Sequence, residues 1–168
     1  MDVVSQQRLV LVMPELASKI TALITGLEAE GHEVRVVQGL RTWQQQDALY
    51  AQGRTAPGEI VTNARGGESY HNFGLAVDLV PSINGIEAVY QPDWNSAHPL
   101  WKEMESKGEA LGLVSGSLWR TLPDAPHFQL TGEFSEDKPT AQLFDFLKNG
   151  GLTAVWAAVR ASFTGTPA

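Results

Sequence analysis

The chain has 168 residues, 43% of them hydrophobic, enough to bury a core in a single domain spanning 1–168. It contains no cysteine, which excludes a disulfide scaffold, thiolate catalysis and Cys-type zinc fingers, so any metal site must draw on carboxylates and the four histidines, His32, His71, His98 and His127. A net charge of -7 argues against nucleic-acid binding, which depends on neutralising phosphates with Lys and Arg.

The N-terminus carries an acidic residue at Asp2 and no Lys/Arg-rich leader, and the apolar run Leu9 to Met13 is too short for a signal-peptide core. The longest uncharged stretch, Asn149 to Val159, falls short of the roughly 20 residues of a membrane helix. These features predict a soluble protein made in the cytoplasm without a signal peptide.

Pro14 to Glu30 reads as an amphipathic helix. Leu16, Ile20, Leu23 and Leu27 recur at helical spacing, Pro14 suits the first turn and Gly31 the end. Glu33 to Gln38 reads as a strand rich in β-branched residues. Thr42 can cap a helix running through Ala51, with Gly53 near its end. Ile60 to Thr62 reads as a short strand and Ala64 to Ser69 as a Gly-bearing loop. Leu75 to Val80 is a clear strand ended by Pro81. Ser96 can cap a helix from Pro99 to Leu111, ended by Gly112. His127 to Leu130 is a third strand, and two helices follow, Lys138 to Leu147 and Thr153 to Phe163, separated by Asn149-Gly150-Gly151. The order lacks a regular βαβ alternation. It predicts an α+β fold, a small, mainly antiparallel sheet with flanking helices.

Two segments carry the chemistry. In Ser69-Tyr70-His71-Asn72-Phe73-Gly74-Leu75-Ala76-Val77-Asp78, His71 lies in a turn and Asp78 inside the strand that follows. Alternation puts Leu75, Val77 and Leu79 on one face, and Ala76 and Asp78 on the other. A carboxylate in an apolar strand is costly unless it is paired or bound to a cation. An arginine partner for Asp78 and a surface position for His71 would satisfy the same pattern, and spacing alone slightly favours that plainer reading. In Asp124-Ala125-Pro126-His127-Phe128-Gln129-Leu130, His127 and Gln129 share one face and Phe128 and Leu130 the core face. Asp124 sits in a turn stiffened by Pro123 and Pro126, and alone the segment could hold an ordinary Asp–His pair. Catalytic zinc takes three protein ligands and keeps one position open. His71, Asp78 and His127 match that inventory and leave Asp124 available as a general base. His32, in a glycine-flanked turn, and His98, beside Ser96 at a helix start, are weaker candidates; for His98 a surface or capping role is the plainer reading.

The string Ser69-x-His71-x-x-Gly74-x-Ala76-x-Asp78, followed by Asp124-x-Pro126-His127-Phe128-Gln129, resembles the zinc D-alanyl-D-alanine carboxypeptidase and L-alanyl-D-glutamate endopeptidase family of bacterial peptidoglycan, which shares a fold with the hedgehog signalling domain. Gly39-Leu40-Arg41-Thr42, Gln45, Leu49-Tyr50, Gln52-Gly53-Arg54, Val61-Thr62-Asn63-Ala64, Gly66-Gly67, Asp93-Trp94 and Leu111-Gly112-Leu113 extend the resemblance over about residues 5 to 130. The resemblance implies a Zn2+ cofactor held by His71, Asp78 and His127, with Asp124 as general base. It implies that Arg41 lies over the scissile carbonyl, that Ser69 hydrogen-bonds substrate, and that Gln129 supports His127.

The chain departs from the family in two places. Many D-alanyl-D-alanine enzymes carry Glu where Asp124 stands, and Asp resembles the phage-endolysin branch that cuts between L-Ala and D-Glu. The family's Trp-Gly-Gly-Asp-Trp segment is here Val114-Ser115-Gly116-Ser117-Leu118-Trp119. The expectation is a monomeric L-alanyl-D-glutamate endopeptidase acting on the peptidoglycan stem peptide, with neither nucleic acid nor membrane as a stable partner. It would reach the wall after export or release. The alternatives are a D-alanyl-D-alanine carboxypeptidase and a non-catalytic zinc-binding module.

Overall fold

The structure, a computed structural model, describes residues 1–84, 89–95 and 97–164. In chain order its elements are α1 (Val3–Leu9), α2 (Pro14–Ala29), β1 (Val34–Gln38), α3 (Trp43–Ala51), a 3-10 turn (Tyr70–Phe73), β2 (Ala76–Pro81), α4 (Leu100–Ala110), β3 (Val114–Ser115), a second 3-10 turn (Gly116–Leu118), β4 (His127–Gln129) and α5 (Ala141–Thr164). They fall into two compact units, one of Met1–Gly39 with Ala76–Leu130, the other of Leu40–Leu75 with Thr131–Ala168.

The first unit holds the sheet. Its strands run in the order β1-β2-β4-β3, and every pairing is antiparallel. The α+β expectation is met. β2 is an inner strand; Ala76, Val77, Leu79 and Val80 are all fully buried, and Asp78 alone in the strand is partly exposed. α2 packs on β1 and α4 through the predicted stripe, Leu16, Ile20, Leu23 and Leu27, with Ile24 added. Pro14 occupies its first turn, where a missing N–H costs nothing.

Two elements of this unit, α1 and β3, lie outside the sequence reading. α1 is too short for periodicity to declare. It forms because Asp2 accepts from the N–H groups of Val4 and Ser5 at 2.9 and 3.2 Å, and because Ser5 Oγ accepts from Val36 N at 2.9 Å and so ties the helix to β1. β3 has two residues and exists by pairing Val114 with Gln129 and Ser115 with Phe128. The expected Ser96 cap lies outside the described residues; at the start of α4, His98 Nδ1 accepts from Leu100 N at 3.1 Å, the capping role foreseen for it.

In the second unit α3 opens on Thr42, whose hydroxyl accepts from Gln45 N at 3.2 Å while the Gln45 side chain accepts from Thr42 N at 2.9 Å. The expected strand Ile60 to Thr62 is absent. This stretch is irregular; Arg54 Nη1 donates to Thr62 O at 3.0 Å, and just before the stretch Gln52 Nε2 donates to Glu59 O at 3.1 Å. Arg54 and Arg65 both lie over the Tyr50 ring, 4.1 and 4.6 Å from its centroid. The two expected C-terminal helices form one run with a break at Gly151 (φ 65°, ψ -162°), starting at Ala141 rather than Lys138.

That last helical run braces the 3-10 turn. Phe144 meets the Phe73 ring edge-on at a centroid distance of 5.3 Å, and Trp156 Nε1 donates to Phe73 O at 2.8 Å. Just before α5, the Tyr70 hydroxyl donates to Ser135 O and, at 3.2 Å, to Lys138 O. Burial raises the pKa of that phenol strongly, with the nearby charges of Asp137 and Glu136 adding to the effect.

Candidate functional site

In the first unit the site begins with strand register. β2 and β4 pair antiparallel with Asp78 directly opposite His127. The two side chains leave the same face, and Asp78 Oδ1 lies 3.4 Å from His127 Nδ1. On the far edge of the ring, His127 Nε2 is 2.9 Å from Gln129 Oε1. His127 and Gln129 are buried at 4% and 1% exposure, while the Asp78 side chain keeps 17% of its surface in contact with solvent. Burial, the largest influence on His127, disfavours its charged form. The hydrogen bond and charge of Asp78, the bond to Gln129 and the charge of Asp124 together outweigh burial and raise its pKa above the ordinary imidazole value.

Asp124 is placed by the loop that joins the second 3-10 turn to β4. Gly116 O accepts from both Trp119 N at 3.1 Å and Asp124 N at 2.9 Å, Asp124 O accepts from His127 N at 3.1 Å, and Pro126 O accepts from Leu79 N at 2.8 Å. Gly116 lies so close to this turn that a Cβ there would stand 2.7 Å from Asp124 O and 2.9 Å from His127 Cβ. Trp119 covers the imidazole, with ring centroids 4.7 Å apart. Beneath the loop, Ser115 Oγ and Ser117 Oγ are 2.9 Å apart, and Ser117 Oγ donates to Glu105. Of the weaker histidines, His32 lies with Glu30 and Glu103 in a group whose ligand atoms are within 4.8 Å of one another. Lys107 already bonds Glu30 at 2.6 Å and Glu103 at 3.4 Å there.

In the second unit His71 is 2% exposed, which overturns the surface-loop reading. It sits in the 3-10 turn, closed at Gly74 in the left-handed conformation (φ 64°) that glycine adopts without a Cβ penalty. His71 O accepts from Arg41 N at 3.0 Å, so the arginine segment and the histidine turn are joined through backbone. Arg41 Nη1 donates to Gln46 Oε1 at 2.8 Å. Ser69 precedes the turn in extended conformation, and its side chain does not cap it.

Two polar residues of this unit lie outside the sequence reading. Gln46 is fully buried and, besides accepting from Arg41, donates to Ala64 O at 2.9 Å. Asn72 is 5% exposed; it donates to Arg41 O at 2.9 Å and Thr42 O at 3.3 Å and accepts from Gly67 N at 2.9 Å. Only its place between two motif residues could have marked Asn72. Nothing in the local pattern separates Gln46 from its neighbours Gln44 and Gln45.

Comparison with known proteins gives consistent results. A family profile described as D-alanyl-D-alanine carboxypeptidase (VanY) matches residues 10–116, a span that includes Arg41, His71 and Asp78 and stops before Asp124 and His127. The chain is 34% identical over 120 residues to the peptidoglycan L-alanyl-D-glutamate endopeptidase CwlK of Bacillus subtilis (strain 168), covering 70% of this chain and 72% of that protein. Among solved structures, the L-Ala D-Glu endopeptidase ChiX of Serratia marcescens superposes with a TM-score of 0.53 at 26% identity, covering 78% of this chain and 89% of that one. VanYB in complex with D-alanine-D-alanine shares the fold at 13% identity, with a TM-score of 0.51 and coverage of 93% and 79%.

Proposed function

The chain belongs to the VanY family of D-alanyl-D-alanine carboxypeptidases, and we propose that it is a zinc-dependent peptidoglycan hydrolase cutting the stem peptide at the L-alanyl-D-glutamate bond. The choice of bond rests on the likeness to CwlK and ChiX, both named for that activity. Asp124, where many carboxypeptidases of the family carry Glu, agrees with it.

The observation that carries the zinc reading is the Asp78–His127 pair. Zn–N distances of about 2.0–2.1 Å and Zn–O of about 2.0–2.2 Å at tetrahedral angles set two donors about 3.3–3.5 Å apart. Asp78 Oδ1 and His127 Nδ1 are 3.4 Å apart. The resemblance adds His71 to this pair, which makes the donor types two imidazole nitrogens and one carboxylate oxygen, the kind of set that holds catalytic zinc. When bound, zinc supplies Lewis acidity toward a carbonyl oxygen and acidifies water to a pKa of about 7.

The chain's own residues take the remaining roles. Asp124 accepts a proton from the attacking water and delivers it to the leaving amine. Arg41 donates to the carbonyl oxygen as negative charge develops there; its guanidinium keeps its charge and its head is steadied by Gln46. Ser69 hydrogen-bonds the substrate. The substrate is acidic and so is the protein, so attraction must come from local cations such as Arg41 rather than from overall charge.

We propose further that residues 1–168 work as one catalytic domain and as a monomer. The chain would reach the wall by export or release, as phage lysis enzymes do. Among the described residues no helix is long and apolar enough to cross a membrane. The family description supports a second reading, D-alanyl-D-alanine carboxypeptidase, which shares every residue role and differs in the bond cut. The residue roles are tested by Asp124→Ala. General base catalysis contributes roughly 10²–10⁴-fold, so turnover of purified peptidoglycan should fall by that order while the variant keeps stoichiometric zinc. Near-normal activity in this variant would remove Asp124 from the mechanism.

A further inference from the structure

Asp124 lies in a stretch without regular structure: after the second 3-10 turn, Gly116–Leu118, no element forms until β4 begins at His127. Its backbone N–H is held by one carbonyl. Gly116 O accepts from Asp124 N at 2.9 Å and from Trp119 N at 3.1 Å. That carbonyl belongs to a planar peptide unit whose other end is the Ser117 N–H, so the direction of one fixes the direction of the other. Ser117 N donates to Ser115 Oγ at 3.3 Å. Whatever seats Ser115 Oγ therefore aims the carbonyl that holds Asp124.

Ser115 is 1% exposed. Its Oγ lies 2.9 Å from Ser117 Oγ, and Ser117 Oγ donates to Glu105 Oε2. A hydroxyl carries one proton, so Ser117, having given its own to Glu105, accepts from Ser115. The donors run one way, from Ser115 to Ser117 to Glu105, and leave a lone pair of Ser115 for Ser117 N. Glu105 stands on α4, which is seated closely on β4: a Cβ at Gly108, three residues on, would lie 2.5 Å from Phe128 Cε1. Neither serine belongs to the family's Trp-Gly-Gly-Asp-Trp pattern, so this tie is the chain's own. We propose that Glu105 is a positioning residue for hydrolysis: through Ser117 and Ser115 it fixes the Gly116–Ser117 peptide unit, and with it the place of Asp124. Its effect on rate rests on Asp124 as general base; the tie itself does not.

The test uses the zinc-loaded, full-length chain and a soluble muropeptide. Glu105→Leu removes the acceptor, and Glu105→Gln keeps an amide oxygen in its place. Ser5→Ala, which cuts the tie between α1 and β1 at the other edge of the sheet, is the control for a merely structural loss. Glu105→Leu should lower kcat by about 10–100-fold, the cost of a base displaced by up to about 1 Å, with KM within about threefold of native and zinc content unchanged. Glu105→Gln should restore most of the rate, and Ser5→Ala should keep it. Hydrogen exchange read by NMR should show the Asp124 and Trp119 amides exchanging faster in Glu105→Leu than in Ser5→Ala. A native kcat in Glu105→Leu, a loss carried by KM instead, a Glu105→Gln rate as low as that of Glu105→Leu, or an Asp124 amide as protected as in Ser5→Ala would each overturn the proposal. If Glu105→Leu does not fold, Ser117→Ala interrupts the same chain of bonds and should show the same loss of kcat. If the native chain cleaves no muropeptide, the hydrolase reading fails, while exchange at Asp124 still judges the tie to Glu105.

Discussion

Replacing Gly116 by alanine gives a test whose sign depends on the geometry around Asp124. Gly116 is not among the glycines with positive φ, so alanine can adopt its backbone. In open space the substitution would stabilise the protein by about 0.4–1 kcal/mol, because alanine restricts the unfolded chain. The space is not open. The added carbon would lie 2.7 Å from Asp124 O and 2.9 Å from His127 Cβ, against an ordinary separation of about 3.5 Å. The Asp124 turn must therefore retreat by about 0.6–0.8 Å. Overpacking of this kind costs about 1–3 kcal/mol, which outweighs the entropic gain and leaves a net loss of about 1–2 kcal/mol. A misplacement of about 1 Å in a catalytic group can cost 10²-fold, so peptidoglycan hydrolysis should fall by about 10–100-fold. Urea unfolding gives the stability, dye release from labelled peptidoglycan gives the rate, and elemental analysis gives the zinc content. A variant more stable than the native chain and equally active would refute the placement of the turn against Gly116.

Two further predictions concern the buried polar groups. Asn72→Leu removes three hydrogen bonds that tie Arg41, Thr42 and Gly67 to the histidine turn; it should cost about 2–4 kcal/mol in urea unfolding, at about 1–3 kcal/mol per buried group left unsatisfied, and stability within about 0.5 kcal/mol of native would contradict the tie. In zinc-free protein the raised pKa of His127 means that its charged form favours the fold. That contribution is fully present below the unfolded imidazole value of about 6.5 and is lost as pH rises through the higher folded value. Zinc-free stability should decline across that window, while zinc uptake strengthens with pH because the ion displaces ring protons. Histidine NMR titration in which His127 titrates below the free imidazole value would reverse the sign of the first effect.

The sequence announces elements that are long and periodic, and residues that form a motif. The α2 stripe is visible because one face of a sixteen-residue helix repeats it over several turns. β2 and β4 are visible because their alternation is bounded by Gly74 and the prolines at 81, 123 and 126. α1 and β3 are too short to carry a period, and each exists through a partner distant in the chain: Val36 for α1, Phe128 and Gln129 for β3. Ile60 to Thr62 has strand-like residues but no strand beside it, and side chains from Gln52 and Arg54 take carbonyls at Glu59 and Thr62. The candidate site shows the same division. His71, Asp78, Asp124 and His127 stand out by residue type and by the motif that resembles the family, not by spacing alone. Asn72 and Gln46 matter through hydrogen bonds to carbonyls that only the folded chain brings within reach. The C-terminal helices are legible as helices, but that they brace the turn that carries His71 shows only in the fold.

The central claim is most directly tested by the products of digestion. Purified peptidoglycan is treated with the zinc-loaded chain, with and without a chelator, and the fragments are weighed by mass spectrometry. The account predicts stem peptides that begin at D-glutamate, with L-alanine left on muramic acid, and no product once zinc is removed. Loss of terminal D-alanine alone would assign the carboxypeptidase reaction instead. Cleavage that persists without zinc, or none with it, would contradict the account.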